Sequence, residues 1–255
     1  MGLPNGAAGA VTRYLDAVDR AIPDFVVALY VTGSLALGDY HSDRSDIDVV
    51  TVVAAEPDGA QRSLLAEVHR VVATRIDGPY VAVDDMAKRP EDIGPVAFHV
   101  DGRFEFGACH EVSPITWAIL AGPAIVVRGP APHDLGVRDD VEAVKVLSAA
   151  NLQGYWRDWA NTIDLVTADA DPDDRIDASL VEWGVLGVAR VHCAATTGVV
   201  VSKRAAGDYA IETFAEDWHP VIKLAIAARD REIDTVSVAD LRAATHLVEA
   251  SIACK

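Results

Sequence analysis

The sequence predicts two domains of different class: an α/β N-terminal domain, with a mixed sheet flanked by helices, followed by an all-α helical bundle. In the first half, short apolar runs rich in β-branched residues alternate with segments of helical periodicity, the pattern of a sheet covered by helices. After Gly129-Pro130 the apolar runs stop and helical spacing alone continues. No internal repeat or low-complexity linker separates the halves. The expected domains are residues 1–135 and 136–255, and a chain of this length can bury a substantial core.

Taken in order, Val11, Tyr14, Leu15, Val18 and Ile22 share one helical face, and Pro23 stops that helix. Phe25–Val31 and Ile47–Val53 are continuous apolar runs, hence buried strands. Between the second of these and the next strand, Leu64, Leu65, Val68, Val71 and Val72 form the apolar face of a helix. Tyr80–Val83, Val96–Val100 and Ala124–Val127 supply three further strands, and FEFG (Phe104–Gly107) reads as another. Beyond Asp139 no strand is expected. Val141, Val144, Leu147, Leu152, Tyr155, Trp156 and Trp159 predict one long helix, or two joined near Gly154. Leu180–Cys193, Tyr209–Phe214, Val221–Ala228 and Leu241–Ile252 complete a bundle of four to five helices.

The net charge is −17. Such a surface repels nucleic acid and anionic membranes and attracts cations, so a polynucleotide polymerase, which needs a basic groove, is disfavoured. The N-terminal stretch lacks the basic start and apolar core of a signal peptide. Ile115–Val127, the longest apolar stretch, is broken by Gly122-Pro123 and is shorter than the roughly 20 residues of a membrane helix. Cys109, Cys193 and Cys254 have no paired spacing. A reduced, cytoplasmic protein is expected, with no membrane or nucleic-acid partner, and a monomer.

Chemistry concentrates in GSLALGDYHSDRSDIDVV, Gly33–Val50. Asp46 and Asp48 stand at the head of an apolar strand, where alternation points both carboxylates to one face and Ile47 into the core. Desolvating two adjacent carboxylates is expensive unless a positive charge neutralises them. Mg²⁺ takes one or two carboxylates together with substrate phosphates. Gly33-Ser34 follows the preceding strand, where a glycine lets the backbone come close and a helix start would aim free amides at a phosphate. A lone D-x-D or G-S says little; the two in order, eleven residues apart and each tied to its own strand, say much more.

This G-S-x₁₁-D-x-D pattern resembles the signature of the nucleotidyltransferase superfamily typified by DNA polymerase β. Within it, the chain is similar to the streptomycin/spectinomycin (aminoglycoside) adenylyltransferases of bacteria. RIDGPYV (Arg75–Val81), FEFG, VVRGP (Val126–Pro130) and GVARVHCAATTGVVVSKRAAGDYAIETF (Gly187–Phe214) also have counterparts there. The resemblance implies transfer of AMP from ATP to an acceptor hydroxyl. Asp46, Asp48 and Asp77 would ligate Mg²⁺, and Gly33, Ser34 and Ser45 would line the phosphates. Asp77 would be the base; the family pattern leads one to expect glutamate there, and Glu105 is the alternative. A helix arginine, Arg190, and a loop lysine, Lys203, would reach the triphosphate. A polycationic acceptor suits acidic and aromatic surface. ADADPDDRID (Ala168–Asp177) offers Asp173, Asp174 and Asp177, with Glu182 a further candidate, and Trp117, Trp156, Trp159 and Trp183 are available aromatics. The tryptophan expected after FEFG is replaced by Cys109. Two readings stay open beside this one: another acceptor, such as a protein hydroxyl or a different natural product, or an inactive nucleotide-binding module.

Overall fold

The computed structural model describes residues 2–72 and 75–253; Cys254 lies outside them. The chain forms two compact units, Met1–Asp140 and Val141–Lys255.

The first unit is a six-stranded sheet of order β5-β4-β3-β2-β1-β6. Its strands are β1 (Val26–Val31), β2 (Ile47–Val53), β3 (Ile76–Ala82), β4 (Val96–Val100), β5 (Arg103–Gly107) and β6 (Ile125–Arg128). β2 and β3 run parallel and every other pair is antiparallel, so the sheet is mixed. The expected third strand, Tyr80–Val83, starts earlier in the structure, at Ile76, and so takes in Asp77 and Gly78-Pro79.

Each face of the sheet is covered. On one side Leu29, Val31, Val49, Val53 and Tyr80 pack with Tyr14 and Val18 of α1 (Asn5–Ala21) and Leu65 and Val68 of α3 (Gly59–Val71). Within α3, Leu64 and Val71 are exposed and His69 is buried, so the inward face is rotated from the one the sequence suggests. On the other side Ala28, Tyr30, Val50, Val52 and Val81 meet Met86, Val137 and, from α4 (Pro114–Ala121), Trp117 and Leu120. Val137 is part of this core, which is why the first unit runs on to Asp140. The alternation of β2 thus feeds odd-numbered residues to one layer and even-numbered residues to the other, and Asp48 continues the even row.

The second unit is helical. α5 (Val141–Asn151) passes through a π-helical turn, Leu152–Trp156, into α6 (Arg157–Thr167), which is the joint expected near Gly154. α7 (Ser179–Thr197) is its central helix, with α8 (Lys203–Thr213), α9 (His219–Arg229) and α10 (Val238–Ala253) around it. Val181, Val185, Leu186 and Ala189 of α7 pack with Ile222, Ala225, Leu241 and Leu247. Gly198, in the left-handed region, ends α7 by donating its amide to the Ala194 carbonyl. The expectation of no strand after Asp139 fails at one place. β7 (Arg175–Asp177) and β8 (Thr235–Ser237) form a two-stranded sheet. Three-residue strands with one buried apolar side chain, Val236, leave no periodic signal to read.

Among the described residues no helix is long and apolar enough to cross a membrane. Cys109 and Cys193 are free thiols.

Candidate active site

The G-S segment and the D-x-D segment meet in the first unit. Gly33 opens α2 (Gly33–Ala36), a single turn, with φ +54°. A Cβ added there would lie 1.7 Å from Asp48 Oδ2, so no other residue fits against that carboxylate. The Ser34 amide donates to Asp48. The expected helix start is present, and one of its amides, that of Ser34, donates to a carboxylate.

Every charged neighbour acting on Asp48 is itself a carboxylate. Burial pushes the Asp48 acid up to about 6; the charges of Asp77 and Asp46 add to the rise, as does Glu111, and the Ser34 amide opposes it. Asp46, just ahead of β2, is half-exposed and lies 3.4 Å from the Arg75 guanidinium. Arg75 also donates to the Ser42 and Ser45 carbonyls, which fixes the loop leading into the D-x-D. Ser45 Oγ accepts the His41 amide at 3.1 Å.

Asp77 sits beside Asp48 in register across the parallel β2–β3 pair. It is 8% exposed. Oδ1 accepts from His99 Nδ1 at 2.8 Å, and Oδ2 from the Asp101 amide at 3.2 Å. Both donors come from the β4–β5 hairpin, whose Asp101-Gly102 turn has positive φ at both residues, as a tight two-residue turn requires. Next along β3, Gly78 (φ +142°) brings the backbone so near β2 that a Cβ would meet the Val49 carbonyl oxygen at 1.8 Å. Glu105, the alternative base, is on the edge strand β5, exposed and 3.7 Å from Arg103.

The donor chemistry suits a hard divalent cation. Among the described residues no three His, Cys, Asp or Glu side chains are drawn together as a ready metal-ligand group. Asp46 and Asp48 nevertheless give the two carboxylates that Mg²⁺ uses when phosphates and water complete its shell. The charges acting on Asp48 are all negative, and they add to the effect of its partial burial in raising its acid.

The second unit has a cluster of the opposite kind. Glu182 on α7 is 4% exposed. It accepts from Arg229 at 3.1 Å and Lys203 at 3.4 Å. Burial lowers the Lys203 ammonium's pKa; Glu182 opposes that shift, and the charges of Arg229 and Arg190 reinforce it. Lys203 Nζ also lies 4.9 Å from the centroid of the Trp183 ring. Trp183 is partly exposed and donates its Nε1–H to Tyr155 Oη at 3.0 Å.

Two family patterns match the chain: the nucleotidyltransferase domain over residues 11–92, and the C-terminal domain of aminoglycoside adenylyltransferases over residues 145–253. The chain is a nucleotidyltransferase. Its second half resembles the C-terminal domain of the aminoglycoside adenylyltransferases. Among solved structures, the fold is shared with spectinomycin adenyltransferase AAD(9) from Enterococcus faecialis, a structure with ATP and spectinomycin. The TM-score is 0.62 at 13% identity, over 96% of this chain and 98% of that one. No curated protein sequence matches.

In this nucleotidyltransferase the first unit gathers Gly33, Ser34, Asp46, Asp48 and Asp77, as the motif spacing suggests. The acceptor candidates fare differently. Glu182 is not presented to a cationic ligand, because Arg229 and Lys203 already occupy it. Asp177 accepts the Ser179 amide at 2.8 Å just ahead of α7, and hydrogen bonds from the Ser179 side chain and amide hold its acid below the usual range. Asp173 and Asp174 are exposed on the turn before β7. Trp117 and Trp156 are core residues. Sequence reasoning missed His99, Asp101, Glu111, Arg75 and Arg229. The D-G turn between two strand-like runs was the one available signal, and it points to Asp101.

Proposed function

We propose that the enzyme transfers AMP from ATP to a hydroxyl of an aminoglycoside-type antibiotic and releases pyrophosphate, a resistance reaction fitting the cytoplasm and its ATP. The observation that carries this is Asp48, half-buried and packed against Gly33, with Asp77 and Asp46 as its charged neighbours inside a nucleotidyltransferase domain. Asp46 and Asp48, with Asp77 as the third carboxylate, would hold Mg²⁺, which when bound neutralises phosphate charge. Ser34 and Ser45 hydroxyls then line the phosphate oxygens, with Gly33 allowing their close approach. Asp77 takes the proton of the acceptor hydroxyl. As its oxygen bonds to the α-phosphorus, the bond from that phosphorus to the bridging oxygen breaks and pyrophosphate departs. In the second unit, Lys203 and Arg190 are the cations assigned to phosphate charge, and the exposed Asp173 and Asp174 are the candidate contacts for a cation. Catalysis of this kind is positioning plus charge neutralisation.

The acceptor class is supported by the net charge of −17 and by the match of residues 145–253. A second reading, another hydroxyl acceptor, is favoured by one observation: Glu182 is neutralised within its own unit. The deciding experiment is pyrophosphate release from Mg·ATP with a panel of aminoglycosides and aminocyclitols, streptomycin and spectinomycin included, with Asp48→Asn as the blank. Release that needs one drug and vanishes in the variant supports the first reading. ATP binding without release for any drug supports the second.

A further inference from the structure

We propose that His99 is a positioning residue for Asp77, and that the β4–β5 hairpin exists at this site to hold that carboxylate in one orientation. The inference rests on the reading of Asp77 as the group that accepts the hydroxyl proton. His99 is 2% exposed and is the Cα partner of Gly78 on β4. Its Nδ1 lies 2.8 Å from Asp77 Oδ1 and 3.0 Å from the Ile76 carbonyl oxygen. Both are acceptors, so Nδ1 carries a proton.

The imidazole is itself held. It stacks on His69 of α3, with ring centroids 4.1 Å apart and planes 12° from parallel. His69 Nε2 is 2.8 Å from Tyr80 Oη, Tyr80 is joined to Tyr14 at 2.8 Å, and Tyr14 reaches Thr51 Oγ1 at 2.9 Å. The network ties α1, α3, β2 and β3 to the one ring that touches Asp77. With the Asp101 amide on Oδ2, both carboxylate oxygens are anchored from one hairpin. Rotation of Asp77 would break two hydrogen bonds in a buried setting. Aspartate is a short side chain, and a displacement of about 1 Å at a reacting group can reduce rate about 100-fold. A rigid clamp is what the geometry supplies.

The test compares His99→Leu, His99→Asn and Asp77→Asn in the full chain. The readouts are pyrophosphate release from Mg·ATP with streptomycin or spectinomycin, ATP affinity, and the imidazole N–H signals of the ¹⁵N-labelled protein. His99→Leu is expected to lower kcat about 100-fold with the KM for ATP unchanged. The side-chain amide of His99→Asn can stand where Nδ1–H stands, and should recover the rate to within about tenfold of wild type. The wild type should show a His99 Nδ1–H protected from exchange, and a fourth variant, Asp77→Ala, which leaves only the Ile76 carbonyl to accept, should weaken that protection. A folded His99→Leu with wild-type kcat, a His99→Asn as slow as His99→Leu, or an unprotected Nδ1–H would overturn the inference. Asp77→Asn at full rate would instead overturn the reading of Asp77 on which it rests. Should His99→Leu fail to fold, the asparagine variant and the N–H signal decide.

Discussion

Each unit of the molecule draws a carboxylate in from solvent, Asp48 half-buried in the first and Glu182 fully buried in the second, and the company each keeps is opposite. Glu182 has Arg229 and Lys203 on it. Asp48 has a backbone amide, and its charged neighbours are Asp77, Asp46 and Glu111. A buried carboxylate surrounded by cations is a structural element, since losing either partner leaves a charge stranded. A half-buried carboxylate surrounded by carboxylates destabilises the fold that contains it, and such a cost is tolerated where a ligand brings the missing charge. Burial alone therefore does not mark a binding residue; the sign of the surrounding charge does.

The contrast breaks most easily at Asp48 itself. Asp48→Asn should cut nucleotidyl transfer by about 1,000-fold while leaving the fold intact; turnover near wild type would remove Asp48 from the chemistry. For Glu182→Ala the order reverses, with stability hit first. Stranding Arg229, whose side chain is 7% exposed, should destabilise the second unit by about 3–5 kcal/mol, read from urea unfolding. A variant as stable as wild type would mean that the cluster is not a structural tie.

A smaller effect separates the two in pH. The Asp48 acid lies near 6 in the folded chain against 3.8 unfolded, so the folded state holds an extra proton between those values. Stability without divalent cation should therefore fall as pH rises through that window and level off above it, by about 3 kcal/mol at most, and Asp48→Asn should flatten the slope. Smallest of all, Asp177→Ala should lower the melting temperature slightly by removing the acceptor of the Ser179 amide.

The same contrast explains what could be read in the sequence. Ile47–Val53 and Val96–Val100 were visible as apolar runs and are β2 and β4 residue for residue. The G-S and D-x-D segments stood next to such runs, so their meeting followed from two adjacent strands. His99 was invisible because a histidine within VAFHV looks like any strand residue; its role depends on Gly78 lying opposite it, a long-range pairing. Glu182 stood in the sequence as a further candidate acceptor contact, because its partners Arg229 and Lys203 are on other helices. Local chemistry was legible, and the partner that decides what a charge is for was not.

The most direct measurement is calorimetric titration of ATP into wild type and Asp48→Asn at pH 7.5, with and without Mg²⁺. Mg²⁺ should tighten ATP binding to the wild type and have no such effect on the variant. Equal tightening in both proteins would contradict the metal role of Asp48, because the positive charge that Asp48 awaits would then be going elsewhere.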